Sequence, residues 1–355
     1  MKKTKLVALC LVVVMLASMF VGCAAKAVET PAETPATTEA AVTPAPEPEK
    51  KFKVGLCLVG IAMDGGWNQG AYEGLKLLES QYGCEIAYTD NLTSADTENA
   101  IRVYAQKGFD LVLGHGYEFG EPLARVAKDF PNVKFGQTGG DSGTAGLPNL
   151  SSAGNRGTEL GYLMGKAAGM STKTKKLGFV TTFEQPTTVE EVDAFKASAL
   201  KIDPAIKTEV VYTGSWTDVA KAKEAAKILL DRGCDVILGI ADRCDLGIIQ
   251  AIQEKNNGSQ YIGWVADYNK VAPELVIISA IQKTSSLIEL LYKQASSPNY
   301  VAGNSYYGIA EGANQIGTWG SFVDPAIKEA VMADYEKIKS GEYTRDSLRA
   351  LLGMK

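Results

Sequence analysis

The chain has 355 residues, a formal charge of −5, 46% hydrophobic and 22% charged residues, and a single histidine. A mildly acidic chain with no Lys/Arg cluster is unsuited to nucleic acid, whose phosphates demand a basic surface. Its six cysteines form no CxxC or Cys/His spacing, so no metal site is expected and no cofactor is implied.

Lys2, Lys3 and Lys5 open the chain, an apolar run follows over residues 6–20, and Val21-Gly22-Cys23 comes next. That order predicts a lipoprotein leader over residues 1–22, with Cys23 as the lipid attachment point. Phe20 stands where Leu is usual. The apolar run is shorter than the ~20 residues that span a bilayer, so a lipid anchor on the extracytoplasmic side of the cell membrane is predicted instead. Residues 23–50, rich in Ala, Pro, Thr and Glu and without an aromatic, predict a disordered, semi-rigid tether.

From residue 52 onward, short apolar runs alternate with periodic segments. Strands are predicted over 54–59, 85–89, 110–114 and 133–137, with helices over 68–82, 96–106 and 121–129. A long helix over 157–169 leads to a second set, with strands over 177–182, 209–213, 235–240 and 261–266. Helices over 189–200, 219–231 and 245–254 lie between them. An extended apolar stretch over 275–283 and a helix over 285–294 are expected to return to the first set. A strand over 306–309 and a helix over 325–340 close the chain. KGFDLVLGHG (107–116) resembles RGCDVILGIA (232–241), each a helix end, a glycine, and an aspartate opening an apolar strand. The pattern predicts α/β architecture, two doubly wound parallel-sheet lobes joined by a hinge. Lobe 1 would comprise 51–156 and about 275–320, and lobe 2 would comprise 157–274 and about 321–355. Such lobes suit closure on a small ligand. Export would permit a disulfide between Cys57 and Cys84; buried free thiols at these two, Cys234 and Cys244 are the other reading.

Five segments carry a family resemblance: MDGGWNQGAYEGLKLLE (63–79), FPNVKFGQTGG (130–140), ELGYLMGKAAG (159–169), GSWTDVAKAKEAAKILLDRGCDVI (214–237) and ISAIQK (278–283). Their order and spacing resemble the basic membrane protein family of substrate-binding lipoproteins, which serve ABC-type importers. The resemblance implies a type I periplasmic-binding fold, a permease partner, and a purine nucleoside or base as ligand, with riboflavin in a few relatives. A monomer is expected.

The residues of the site follow from this pattern. Trp67, in the turn after the first strand, either stacks a planar ring or caps the sheet edge. Asn68 offers donor and acceptor to a purine edge, or serves as a helix N-cap. Asp64 accepts from the ligand or holds the turn. Phe183 and Trp216 follow strands of the second lobe and would cover the other ring face, unless Trp216 packs the hinge. Asp242 and Asp245 flank a strand end, Asp242 being the one taken for the site. The resemblance implies ribose contacts for Asp267 and a sugar-side role for Lys283, which otherwise reads as a solvated or interlobe lysine. Gly139 and Val265 stand where nucleoside-binding relatives often have Asp, which resembles a branch that includes free-base binders. Gln137 and His115 are then candidates for the base, although His115 also fits a plain loop position.

No catalytic residue is assigned. Gly140-Asp141-Ser142-Gly143 looks like a protease nucleophile loop, but a triad needs a positioned base and only His115 is present. Dinucleotide and P-loop spacings are absent. A surface receptor without transport and a nucleoside hydrolase are the rival readings.

Overall fold

The computed structural model describes residues 50–140 and 146–354. The predicted leader, Cys23, the tether up to residue 49 and the Asp141-Ser142-Gly143 part of the protease-like motif lie outside them. Residues from Lys50 onward form one contact unit, built on two sheets.

The first sheet grows from β1 (Lys53–Leu58), α1 (Trp67–Tyr82), β2 (Glu85–Thr89), α2 (Thr97–Gln106), β3 (Leu111–His115), α3 (Gly120–Asp129), β4 (Lys134–Thr138) and β5 (Leu150–Asn155). α4 (Gly157–Ser171) opens the second lobe. It continues through β6 (Lys176–Thr181), α5 (Pro186–Ile202), β7 (Lys207–Tyr212), α6 (Val219–Asp231), β8 (Val236–Ile240), α7 (Asp245–Lys255), β9 (Gln260–Gly263) and β10 (Val276–Gln282). α8 (Thr284–Ala295) and β11 (Asn304–Tyr307) return to the first lobe. β12 (Asn314–Ile316), α9 (Pro325–Lys339) and α10 (Arg345–Leu352) complete the second.

The strand orders are β11-β5-β4-β3-β1-β2 and β12-β10-β9-β8-β6-β7. All ladders are parallel except that of β10 with β12. β1 shows why its strand reads as a continuous apolar run: Val54, Leu56 and Leu58 fill the core on one face of the sheet, and Cys57 fills the core on the other. Parallel strands covered on both faces require this.

Residues 275–283 depart from expectation. β10 pairs with β9 and β12 in the second sheet, because Ile277, Ile278 and Ala280 belong to that lobe's core. The return begins only with α8, which packs on α1. β12 likewise belongs to the second sheet. β9 stops at Gly263, short of the expected Ala266, and Val265 turns away with a φ of 70°.

Three connections therefore cross between the lobes, near Arg156, Lys283 and residues 308–313. They are tied together: Asn155 Nδ2 donates to Asn314 Oδ1 at 2.8 Å, Asn314 Nδ2 to the Arg156 carbonyl at 3.0 Å, and the Lys283 amide to the Ala313 carbonyl at 2.7 Å. The four cysteines of the described residues are free and buried. Cys57 lies opposite Thr89 in the β1–β2 ladder, five residues along from Cys84. At ~3.3 Å per residue that is far beyond the span of a disulfide. Burial pushes the Cys57 thiol up to about 12, so it is an inert core group.

Candidate functional site

The carboxyl ends of both sheets face one cavity of about 510 Å³. Its wall comes from β11 and the ends of, or segments after, β1 to β5 in the first lobe and β6 to β10 in the second. Doubly wound sheets gather ligands at this end, and the volume suits a small organic molecule. A side chain at Gly66 would come within 3.8 Å of Asp242 Oδ1 and 3.9 Å of Val265 Cγ1, so the lobes nearly meet at the rim.

Trp67, the first residue of α1, supplies the aromatic face of the first lobe. It stacks on His115, with ring centroids 4.4 Å apart and planes 23° apart. His115 Nε2 lies 3.0 Å from the Trp67 carbonyl oxygen, and Nδ1 meets Thr138 Oγ1. The carbonyl can only accept, so Nε2 carries the proton and Nδ1 accepts from the threonine hydroxyl. Burial holds this imidazole down at about 4 despite the raising influence of the Trp67 carbonyl and Asp64. At the edge of the indole's six-membered ring, Gly139 has a φ of 65°, and a Cβ there would overlap Trp67 Cζ2. The tryptophan is thus backed on one face by an imidazole and met at its edge by a bare backbone.

The second lobe supplies Phe183 and Trp216, with ring centroids 6.0 Å apart and tilted by 50°. Both line the cavity and Phe183 is 41% exposed. Asn68 also lines it. Its Nδ2 donates to the Val59 carbonyl at 3.2 Å and to Asp64 Oδ2 at 2.9 Å. Both amide hydrogens are used, which leaves Oδ1 as an acceptor toward the cavity.

Six of the residues read from the sequence (Trp67, Asn68, His115, Phe183, Trp216 and Asp242) reach the cavity wall. Four do not. Asp64 is turned back to cap α1, accepting from the amides of Gly66, Asn68 and Gln69 and from Asn68 Nδ2. The cap is therefore made by Asp64 and not by Asn68. Gln137 lies behind the wall, where its Nε2 donates to the Gly116 and Tyr117 carbonyls and shapes the loop after β3. Asp267 is engaged by Thr318, whose Oγ1 donates to Oδ2 at 2.7 Å, and by the Asn269 amide. Lys283 is exposed at a lobe crossing. Asp245 is fully buried at the start of α7, outside the wall.

Sequence reasoning missed Glu191, Trp264, Gln282, Asn91 and Tyr306, all of which line the cavity. Glu191 sits inside α5 and carries no motif; the only available signal was its helix beginning just after Phe183. Gln282 Nε2 donates to Glu191 Oε1 at 2.6 Å. The Trp264 indole N–H lies near the same carboxyl without forming a hydrogen bond of normal geometry. Burial first, then neighbouring acids, pushes Glu191 up to about 8, against the opposing hydrogen bond from Gln282. Asp242 is pushed up to about 7 by burial and by Asp64 across the cleft. Its backbone has a φ of 51°, and the Tyr268 hydroxyl donates to its carbonyl at 2.9 Å.

The described wall contains Glu118, Glu190, Glu191 and Asp242 but no lysine or arginine. Such a cavity repels phosphorylated ligands and suits a neutral, flat molecule.

This two-lobed α/β architecture, with a cavity where the strand ends of both sheets meet, is the fold of solute-binding proteins of the periplasmic-binding type. Over residues 51–343 the sequence matches the family described as ABC transporter substrate-binding protein PnrA-like. The chain belongs to this family, and its role is that of the substrate-binding protein of an ABC transporter. It is 28% identical over 281 residues to a transcriptional activator protein of Bacillus subtilis, covering 79% of this chain and 86% of the relative. A purine-binding protein of Brucella abortus is 27% identical over 297 residues, with 83% of each chain covered. Among solved structures, an ABC transporter solute-binding protein from Conexibacter woesei superposes with a TM-score of 0.64 at 27% identity, over 82% of this chain and 98% of that one. The family is one of solute-binding proteins, not of enzymes. Among the described residues no helix is long and apolar enough to cross a membrane.

Proposed function

We propose that this protein captures a purine nucleoside or free purine base between its lobes and delivers it to a membrane permease, acting as a monomer anchored outside the cell membrane through lipid on Cys23. The observation that carries the ligand reading is the placement of Trp67 on one lobe and of Phe183 and Trp216 on the other, around one cavity. Two aromatic faces converging from separate bodies match a flat ring, and each base–aromatic contact is worth about 1–3 kcal/mol. The acceptor oxygen of Asn68 adds a partner for a ring or amino N–H. The purine-binding relative supports the same ligand class.

Ligand favours the closed arrangement because only there do both faces touch the ring. Trp67→Ala is expected to weaken adenine or adenosine binding at least tenfold by titration calorimetry; an unchanged affinity removes Trp67 from the site. The basic, apolar, Gly-Cys order of the leader supports the anchor. Cys23→Ala protein should leave the membrane fraction, and full retention there would refute lipid attachment.

A further inference from the structure

We infer that Glu191 meets the ligand as a carboxylic acid, its Oε2 hydroxyl donating to a ring nitrogen or carbonyl oxygen of the heterocycle, and so helps decide which purines the cleft accepts. This deepens the purine reading and rests on it.

Glu191 is 7% exposed, and what remains exposed lies on the cavity wall. Its surroundings fix which oxygen can carry a proton. Gln282 Nε2 donates to Oε1, so that oxygen acts as an acceptor. No hydrogen bond of normal geometry from the described residues reaches Oε2, and the one N–H near the carboxyl besides that of Gln282, the Trp264 indole, is a donor and cannot accept a proton from it. A proton on the carboxyl therefore sits on Oε2, and an Oε2 hydroxyl has only the cavity contents to donate to.

The acidic groups nearest Glu191 oppose its ionisation. On its own helix, Glu190 is turned toward α10, where Arg345 and Arg349 hold it. Asp242 faces Glu191 from the end of β8. From α4 come two glycines: a Cβ at Gly157 would lie 2.6 Å from Glu191 Cγ, and one at Gly161 2.6 Å from the Glu191 carbonyl oxygen. From the β9 and β10 ends come the uncharged Trp264 and Gln282. No lysine or arginine of the described wall offers a counter-charge. A carboxyl so placed keeps its proton near neutrality, and burial pushes it up to about 8. A neutral acid of this kind is a hydrogen-bond donor, which a carboxylate is not. On the opposite lobe Asn68 Oδ1 presents an acceptor. The cleft therefore offers one donor and one acceptor from different lobes to the two kinds of edge that a purine carries.

The sign of the pH dependence follows. A ligand that accepts from Oε2 binds the protonated form, so its affinity is full below pH 7 and falls as pH rises through about 8. A ligand that donated an amino group to the carboxylate would instead bind better as pH rises. Titration calorimetry of the whole protein with adenosine and adenine, and with purine riboside (which lacks the amino group), over pH 6 to 9.5 distinguishes the two. Adenosine and purine riboside keep their charge throughout this range, and adenine begins to lose its ring N–H proton only above pH 9, too little to account for a tenfold change. The expected result is an affinity lower at least tenfold at pH 9.5 than at pH 7 for whichever of them binds. Glu191→Gln, whose amide can still donate, should bind with a flat profile, while Asp242→Asn, which removes a neighbouring acid, should keep the fall but shift it to lower pH. A flat wild-type profile, an affinity that rises with pH, or a fall that persists in Glu191→Gln and vanishes in Asp242→Asn would overturn the role of Glu191 while leaving the purine reading intact. Failure of all three ligands to bind at any pH would instead sink the purine reading, and the inference with it.

Discussion

Trp67 owes its orientation to neighbours of modest appearance in the sequence. His115 backs the indole, and Gly139 leaves room for its far edge. Gly139→Ala is expected to lower the melting temperature, since a left-handed conformation costs a side-chain-bearing residue ~1–2 kcal/mol. It should also reduce purine affinity at least tenfold by displacing Trp67. Gly108→Ala is the control. That glycine has a φ of 73°, and a Cβ there would meet nothing within 4 Å, so stability should drop while affinity stays. Equal affinity losses in both variants would mean that strain, not the indole's position, was responsible. At this scale the sequence was readable where chemistry is rare, as with the aromatics after strand ends and the single histidine. It was unreadable where identity is common and position is everything. Glu191 is an ordinary helical glutamate until the fold buries it, and Asp267 looks like a ligand until Thr318 is seen to occupy it.

Elements with a continuous apolar run or a three- to four-residue period were legible to within a few residues, because burial on both sheet faces demands that pattern. The KGFD and RGCD repeats mark matching places in the two lobes. Gly108 and Gly233 have φ values of 73° and 88°, and the aspartates that follow tie down chain segments next to the first strand of each lobe. Asp110 accepts from the Lys53 amide, and Asp235 accepts from the amides of Lys173 and Thr174. β5 escaped notice because LSSAGN has no β-branched or aromatic residue. It is a strand because β4 and β11 pair with it on either side, a tertiary cause invisible in local composition. β12 is three residues long, and α10 is held by packing on α4 and α5. The assignment of residues 275–283 failed for a related reason: an apolar strand fits either lobe's core, and nothing in its pattern says which.

Across the whole molecule, three tied crossings make the lobes a hinged pair, and the cavity between them is walled by residues from both. The order of strands and helices made this architecture legible, and the fold then determined which side chains reach the gap. Polar groups that looked available, such as those of Asp64 and Gln137, were spent on holding backbone in place. The aromatic faces were left free for a ligand. Mass spectrometry of small molecules released by denaturing freshly purified protein tests the central claim most directly. A purine base or nucleoside, recovered in near-equimolar amount from wild type and depleted from Trp67→Ala, is the predicted result. Near-equimolar recovery of a compound without a purine ring would contradict it.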